Sequence, residues 1–192
     1  MLLKKLIRTT LLMSSRNLLI QSLIRTIPNY PKPGIQFRDI TTLLKNPNGL
    51  REVVDSFYNR YQHQKIDKIV GIESRGFIIG AALAYKLGVG FVPVRKAGKL
   101  PAEAMGHDYM LEYGTDRVEI HSDAITQHER ILLVDDLIAT GGTATAAAVL
   151  IGKLGGVLVE CAFVIDLPDL GGVKRLAQKG LQSFALCEFA GD

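Results

Sequence analysis

Apolar positions recur along this chain with two periods, and the switches between them divide it into elements. Leu50, Val53, Val54, Phe57, Tyr58 and Tyr61 line up at helical spacing behind Asn46-Pro47. Asn caps helix starts well and Pro suits the first helical position, so a helix is predicted over 47–64. Short, mostly apolar runs predict buried strands instead: Lys68–Glu73, Val89–Arg95, Ile131–Val134, Val157–Ile165 and one near 182–187. Further helices are predicted over 76–87, closed by Gly88, over the Ala-rich Thr143–Leu154, and near 170–179. At the front, a helix over Asn17–Thr26 is expected to pack on the body, with residues 1–12 frayed. Pro28–Asp39 holds three prolines and a glycine and reads as an ordered, extended loop.

Residues 96–108 show little apolar pattern and are too long for a plain connector, which predicts a mobile functional loop. Strand-like pieces near 109–113 and 116–121 flank Gly114 and predict a hairpin. Strand and helix alternate through most of the chain. The predicted fold class is therefore α/β: a mainly parallel sheet flanked by helices, with a small antiparallel flap. A length of 192 residues suits one domain.

Charge changes the picture only at the front. Lys4, Lys5, Arg8, Arg16, Arg25, Lys32 and Arg38 precede the first acid, Asp39. The segment 1–27 is also rich in Leu and Ile, which fits a targeting peptide, an interfacial helix or an extension ahead of a start at Met13. No uninterrupted apolar stretch reaches the roughly 18 residues of a membrane span. Cys161 and Cys187 lie far apart in apolar runs, which predicts buried thiols of a reducing compartment and a cytoplasmic location. His63, His107, His121 and His128 lack metal-ligand spacing and read as surface or loop residues.

The candidate chemistry is concentrated in Ile131-Leu132-Leu133-Val134-Asp135-Asp136-Leu137-Ile138-Ala139-Thr140-Gly141-Gly142-Thr143. Two carboxylates emerge from a buried strand at the carboxyl edge of the sheet, where α/β folds bind ligands. A small-residue loop then opens a helix, whose free N–H groups and dipole suit a monophosphate. Gly141 and Gly142 permit close approach, and Thr140 and Thr143 add hydroxyl donors. Beside a phosphate, the acids suit vicinal sugar hydroxyls or a hydrated Mg²⁺. The nucleotide-binding patterns GK[ST] and GxGxxG are absent from this run.

This run resembles the motif with which type I phosphoribosyltransferases bind phosphoribosyl pyrophosphate (PRPP). Phe37-Arg38-Asp39-Ile40, Glu73-Ser74-Arg75-Gly76-Phe77, Arg95-Lys96-Ala97-Gly98-Lys99-Leu100-Pro101 and Leu111-Glu112-Tyr113-Gly114 resemble the adenine-specific branch of that family. The resemblance covers about 27–190. It implies the type I phosphoribosyltransferase fold in a single domain over 27–192, behind an extension at 1–26. It implies purine salvage, with transfer of phosphoribose from PRPP to adenine to give AMP and pyrophosphate.

Residue roles follow from the same resemblance. Asp135 and Asp136 would hold the ribose, and Ala139, Thr140, Gly141, Gly142 and Thr143 the 5′-phosphate. Glu73, Ser74, Arg75 and Gly76 would form the pyrophosphate loop, with a cis peptide between Glu73 and Ser74. Arg95, Lys96 and Lys99 would neutralise the leaving group, and 96–110 would close as a lid that excludes water. Glu112 would act as general acid/base on a purine ring nitrogen, and Tyr113 would line the site. Phe37 and Leu137 would cover the two faces of the base, with backbone groups near Gln36 and Arg38 reading its edge. Mg²⁺ would arrive mainly on PRPP or pyrophosphate, without direct protein ligands. A homodimer is implied, and neither a membrane nor a nucleic acid is an expected partner. The other readings are the same reaction with another purine, and a PRPP-sensing regulator that binds nucleic acid through the basic N-terminus.

Overall fold

A computed structural model of the chain describes residues 17–111 and 114–191. Glu112, Tyr113 and most of the N-terminal extension lie outside the described residues. The first helical stretch, α1, spans 17–22 and stops four residues short of the expected end. The chain then leaves the helix because β1, Arg25–Pro28, pairs antiparallel with β2, Gln36–Asp39. Arg25 reinforces that register by donating to its cross-strand partner Asp39. Pro28–Asp39 is therefore not extended throughout: its ends pair as a hairpin, and residues 29–34 turn between them, with Asn29 at φ 59° and Gly34 at φ 93°.

Helix α2, Thr41–Leu44, leads into α3, Pro47–Tyr61. Asn46 caps α3 with its side-chain oxygen, which accepts the N–H groups of Asn48 and Gly49 at 3.0 Å each. Next come β3, Lys68–Ile72, α4, Arg75–Leu87, and β4, Gly90–Lys96. Gly88 ends α4 in the left-handed conformation, φ 72°.

The flap is larger than the sequence pattern suggests. Strands β5, Ala104–Leu111, and β6, Gly114–His121, pair along their whole length. Half of the expected lid loop is therefore strand. Gly106 and Asp108 break the apolar alternation of β5, but at the edge of the sheet only one neighbour has to be satisfied. His107 and His121 also lie in these strands and are half-buried rather than in loops.

Strand β7, Arg130–Ile138, runs four residues beyond Val134 and carries both candidate acids within it. The chain finishes with α5, Gly142–Lys153, β8, Val157–Asp166, a 3₁₀ turn at Pro168–Leu170, α6, Gly172–Gln178, and β9, Ser183–Glu188.

The large sheet has seven strands in the order β5-β6-β4-β3-β7-β8-β9. Pairs from β4 through β9 are parallel, and β6 joins β4 antiparallel. One face packs on α3 and α4 through Phe57, Tyr61, Ile79 and Leu83. The other packs on α5 and α6 through Ala147, Leu150, Ile151 and Leu176. The chain leaves β3 toward β4 on one side and later returns to β7 on the other. The loops after β3 and β7 therefore diverge, opening a crevice at the carboxyl ends of these strands. Both cysteines are free and buried, and burial raises each thiol to about 12. No helix among the described residues is long and apolar enough to cross a membrane.

Candidate active site

That crevice is a cavity of about 330 Å³. Its walls bring together Glu73 and Arg75 from the β3–α4 turn, Lys96 from β4, Asp135, Asp136 and Leu137 from β7, and the loop Ala139–Thr143. Residues from three stretches of the sequence meet because the strand order puts β7 beside β3 and β3 beside β4.

The loop after β7 is built from small residues for a physical reason. Gly141 adopts φ 76°, and a Cβ there would meet the Gly172 carbonyl oxygen at 3.0 Å. Gly172, at the start of α6, would itself strike the Ala139 oxygen at 2.3 Å if it carried a Cβ. Sequence reading missed Gly172 as the floor of the loop, because the contact is made only in the folded chain. Helix α5 starts at Gly142 with no side-chain cap, so its first N–H groups face the cavity side with their dipole unopposed. A phosphate dianion fits that end.

The two acids differ sharply. Asp136 is 4% exposed and is bonded through Oδ2 to Arg75 Nε. Asp135 is half-buried on the cavity wall, and its Oδ1 accepts the Asp136 N–H at 2.8 Å. Burial, and then the negative charge of Asp136, pushes the Asp135 carboxyl well above the usual carboxylate range. A ligand that brings positive charge would favour its ionised form. Gly76 lets α4 begin against this pair, since a Cβ there would lie 2.9 Å from Asp135 Oδ1.

On the β3 side, the Glu73–Ser74 peptide is cis, as expected. Arg95 donates to both oxygens of Glu73 at 3.2 Å, and the Lys96 N–H adds a bond of 3.0 Å. Burial disfavours ionised Glu73, but these donors outweigh it and hold the carboxyl below its ordinary value. Arg95 also donates to the Lys99 carbonyl at 2.9 Å. Arg75 and Lys96 line the cavity, whereas Ser74, Gly76, Arg95 and Lys99 stand behind or beside it.

The expected base-binding residues are less gathered. Leu137 lines the cavity, and Gln36, Phe37 and Arg38 lie on β2, outside its wall. Phe37 connects to the site through Arg75, whose guanidinium carbon lies 5.9 Å from the ring centre. Tyr30 packs edge-on against Phe37 at 5.2 Å. The Arg38 side chain turns away, to Thr26 at 2.6 Å and the Ala190 carbonyl at 3.0 Å. Tyr109 and Asp116 of the flap also line the cavity, and nothing in the sequence pattern marked either.

A phosphate-loop helix start, paired acids and a cationic opposite wall are what a phosphorylated sugar with an anionic leaving group requires. The model of the phosphoribosyl transferase domain family matches residues 39–184. An adenine phosphoribosyltransferase of Methylobacillus flagellatus is 71% identical over 170 residues, 88% of this chain and 97% of that protein. The chain belongs to the adenine phosphoribosyltransferases. The enzyme of that name from Nitrosospira multiformis is 68% identical over 173 residues, 90% of this chain and 99% of its own length. Among solved structures, adenine phosphoribosyltransferase from Rhodothermus marinus superposes with a TM-score of 0.86 at 47% identity, covering 92% of this chain and 99% of that one. The Saccharomyces cerevisiae adenine phosphoribosyltransferase, complexed with an imino-altritol bisphosphate and adenine, gives 0.84 at 42% identity, covering 90% and 99%.

Proposed function

We propose that this adenine phosphoribosyltransferase forms AMP and pyrophosphate from adenine and PRPP, with residues in and around the cavity in the following roles. The observation that carries the reading is Asp135 and Asp136 sharing one cavity with the uncapped start of α5 and its glycine–threonine loop. Ala139, Thr140, Gly141, Gly142 and Thr143 hold the 5′-phosphate, and the two aspartates grip the ribose hydroxyls. Their charge also favours the positive character that the ring gains as the anomeric C–O bond breaks. The electron pair of that bond leaves with pyrophosphate, toward Glu73–Gly76, Lys96, Arg95 and Lys99. Adenine enters from the opposite face, over Leu137 and toward Phe37, and backbone groups near Gln36 and Arg38 read its edge. Glu112 exchanges a proton with a purine ring nitrogen.

Mg²⁺, when bound, neutralises charge on the pyrophosphate group. The donors fit an ion that arrives with PRPP: Asp136 is already engaged by Arg75, and half-buried Asp135 faces the cavity. Loop 96–103 and the flap act as the lid. A homodimer is supported by the apolar outer stripe of α4, where Ile78 is 49% and Tyr85 91% exposed. Sedimentation at the mass of one chain would remove that part of the reading. The reducing environment suited to two buried free thiols supports a cytoplasmic location.

Relatives of such high identity set the nucleic-acid-binding regulator aside and favour adenine over other purines. The test is turnover with PRPP, Mg²⁺ and a panel of bases. Adenine should exceed hypoxanthine and guanine in kcat/KM by about 10³-fold or more, because an oxo group would face an acceptor placed for the 6-amino group. Equal rates with hypoxanthine would refute the base assignment.

A further inference from the structure

A tyrosine of the flap reaches the phosphate loop with its hydroxyl. Tyr109 lies on β5 directly across from Asp116 on β6. Its hydroxyl is 3.1 Å from Asp116 Oδ2 and 3.1 Å from Thr143 Oγ1. Gly142 makes the approach possible, since a Cβ there would lie 3.2 Å from Tyr109 Cδ2. Asp116 is fixed in turn: its Oδ1 accepts the Arg117 N–H at 2.8 Å, and Lys96 Nζ stands 3.4 Å from Oδ2. Thr143, Tyr109, Asp116 and Lys96 thus form one chain of polar contacts from the start of α5 to the cationic wall, and all four line the cavity.

We propose that Tyr109 is a positioning residue for the phosphate half of the reaction, orienting the Thr143 hydroxyl toward the 5′-phosphate of PRPP. The inference rests on the phosphate-loop reading above. Two hydroxyls between fixed groups can order their protons in only a few ways. With the loop empty, Tyr109 donates to Asp116 and accepts from Thr143. Burial works against the Asp116 charge, but the Arg117 N–H, Tyr109 and Lys96 hold it below the usual range, so it stays an acceptor. A phosphate dianion competes for the Thr143 proton. When Thr143 turns its proton to phosphate, its oxygen becomes an acceptor, and Tyr109 is the donor in reach. The chain then runs Tyr109 to Thr143 to phosphate, while Lys96 and the Arg117 N–H still satisfy Asp116. Each donor in such a chain strengthens the next. The tie also holds β5 against the phosphate loop, and Glu112 follows Tyr109 by three residues.

The test is a double-mutant cycle in PRPP kinetics. Tyr109→Phe keeps the ring on Gly142 and removes only the hydroxyl. The loss of one hydrogen bond should raise the PRPP KM by about fivefold. The adenine KM should stay within about twofold, the size of a negligible contact. Thr143→Val should raise the PRPP KM on its own, and Tyr109→Phe should add nothing in that background. Melting curves of each variant confirm that it folds. A role in flap packing alone would predict the same increase with and without Thr143. The inference is overturned if Tyr109→Phe leaves the PRPP KM unchanged, or if its effect persists undiminished in Thr143→Val. If Thr143→Val itself leaves the PRPP KM unchanged, the phosphate-loop assignment fails as well, which separates the two claims.

Discussion

Asp135 and Asp136 are neighbours in sequence with opposite surroundings. Asp136 is buried against Arg75, whereas Asp135 opens on the cavity beside it. In the proposed mechanism the pair concentrates negative charge where the ribose gains positive character, so removing one charge while keeping the shape is informative. Asp136→Asn should lower kcat by about 10²-fold, the scale of a lost electrostatic contact at the reaction centre. The fold should survive, because the Arg75 side chain is 38% exposed and water can satisfy its freed donor. Near-wild-type turnover with an unchanged melting curve would remove Asp136 from the mechanism. These acids and the Thr140–Thr143 loop were legible in the sequence because they form one uninterrupted run. Tyr109, Asp116 and Gly172 were not. Their contacts depend on flap register and on the approach of α6, which no local spacing encodes.

Among the elements, α3 was readable because helical periodicity coincided with the Asn46-Pro47 start, α4 from its end at Gly88, and α5 from its Ala-rich run behind Gly141-Gly142. Strands β1 and β5 were obscured. Prolines around β1 and β2 suggested a loop, and Gly106 in β5 is explained only by the Arg117 guanidinium lying across it, 2.1 Å from where a Cβ would stand. The β1–β2 hairpin makes a prediction of its own. Hydrogen bonds from Thr41, and then Arg25, lower the Asp39 carboxyl to about 2. A carboxyl depressed in the folded state stabilises fully above its unfolded value, near 4. That contribution is lost as the pH falls through the folded value, about 2. Asp39→Asn should therefore melt below wild type at neutral pH, with the gap closing as the pH drops from about 4 toward 2. A gap that stayed constant across that range would contradict the assignment.

At the scale of the whole molecule, sheet order does what no single element could. Placing β3 between β4 and β7 sets Glu73 and Arg75 of the β3–α4 turn, Lys96 of β4 and the acids of β7 around one crevice. The alternation of strands and helices predicted that sheet, and the antiparallel flap extends it on the β4 side. The residues proposed to bind the base lie on the separate two-stranded hairpin, outside the cavity wall. The residues proposed for phosphate and ribose therefore share the crevice, while those proposed for the base are divided between two sheets. A crystal structure of this chain with AMP tests that division directly. The phosphate should sit within hydrogen-bond distance of the backbone N–H groups of 140–143, with the ribose hydroxyls on Asp135 and Asp136 and the base between Leu137 and Phe37. A phosphate lodged anywhere else, with the loop after β7 left to water, would contradict the account.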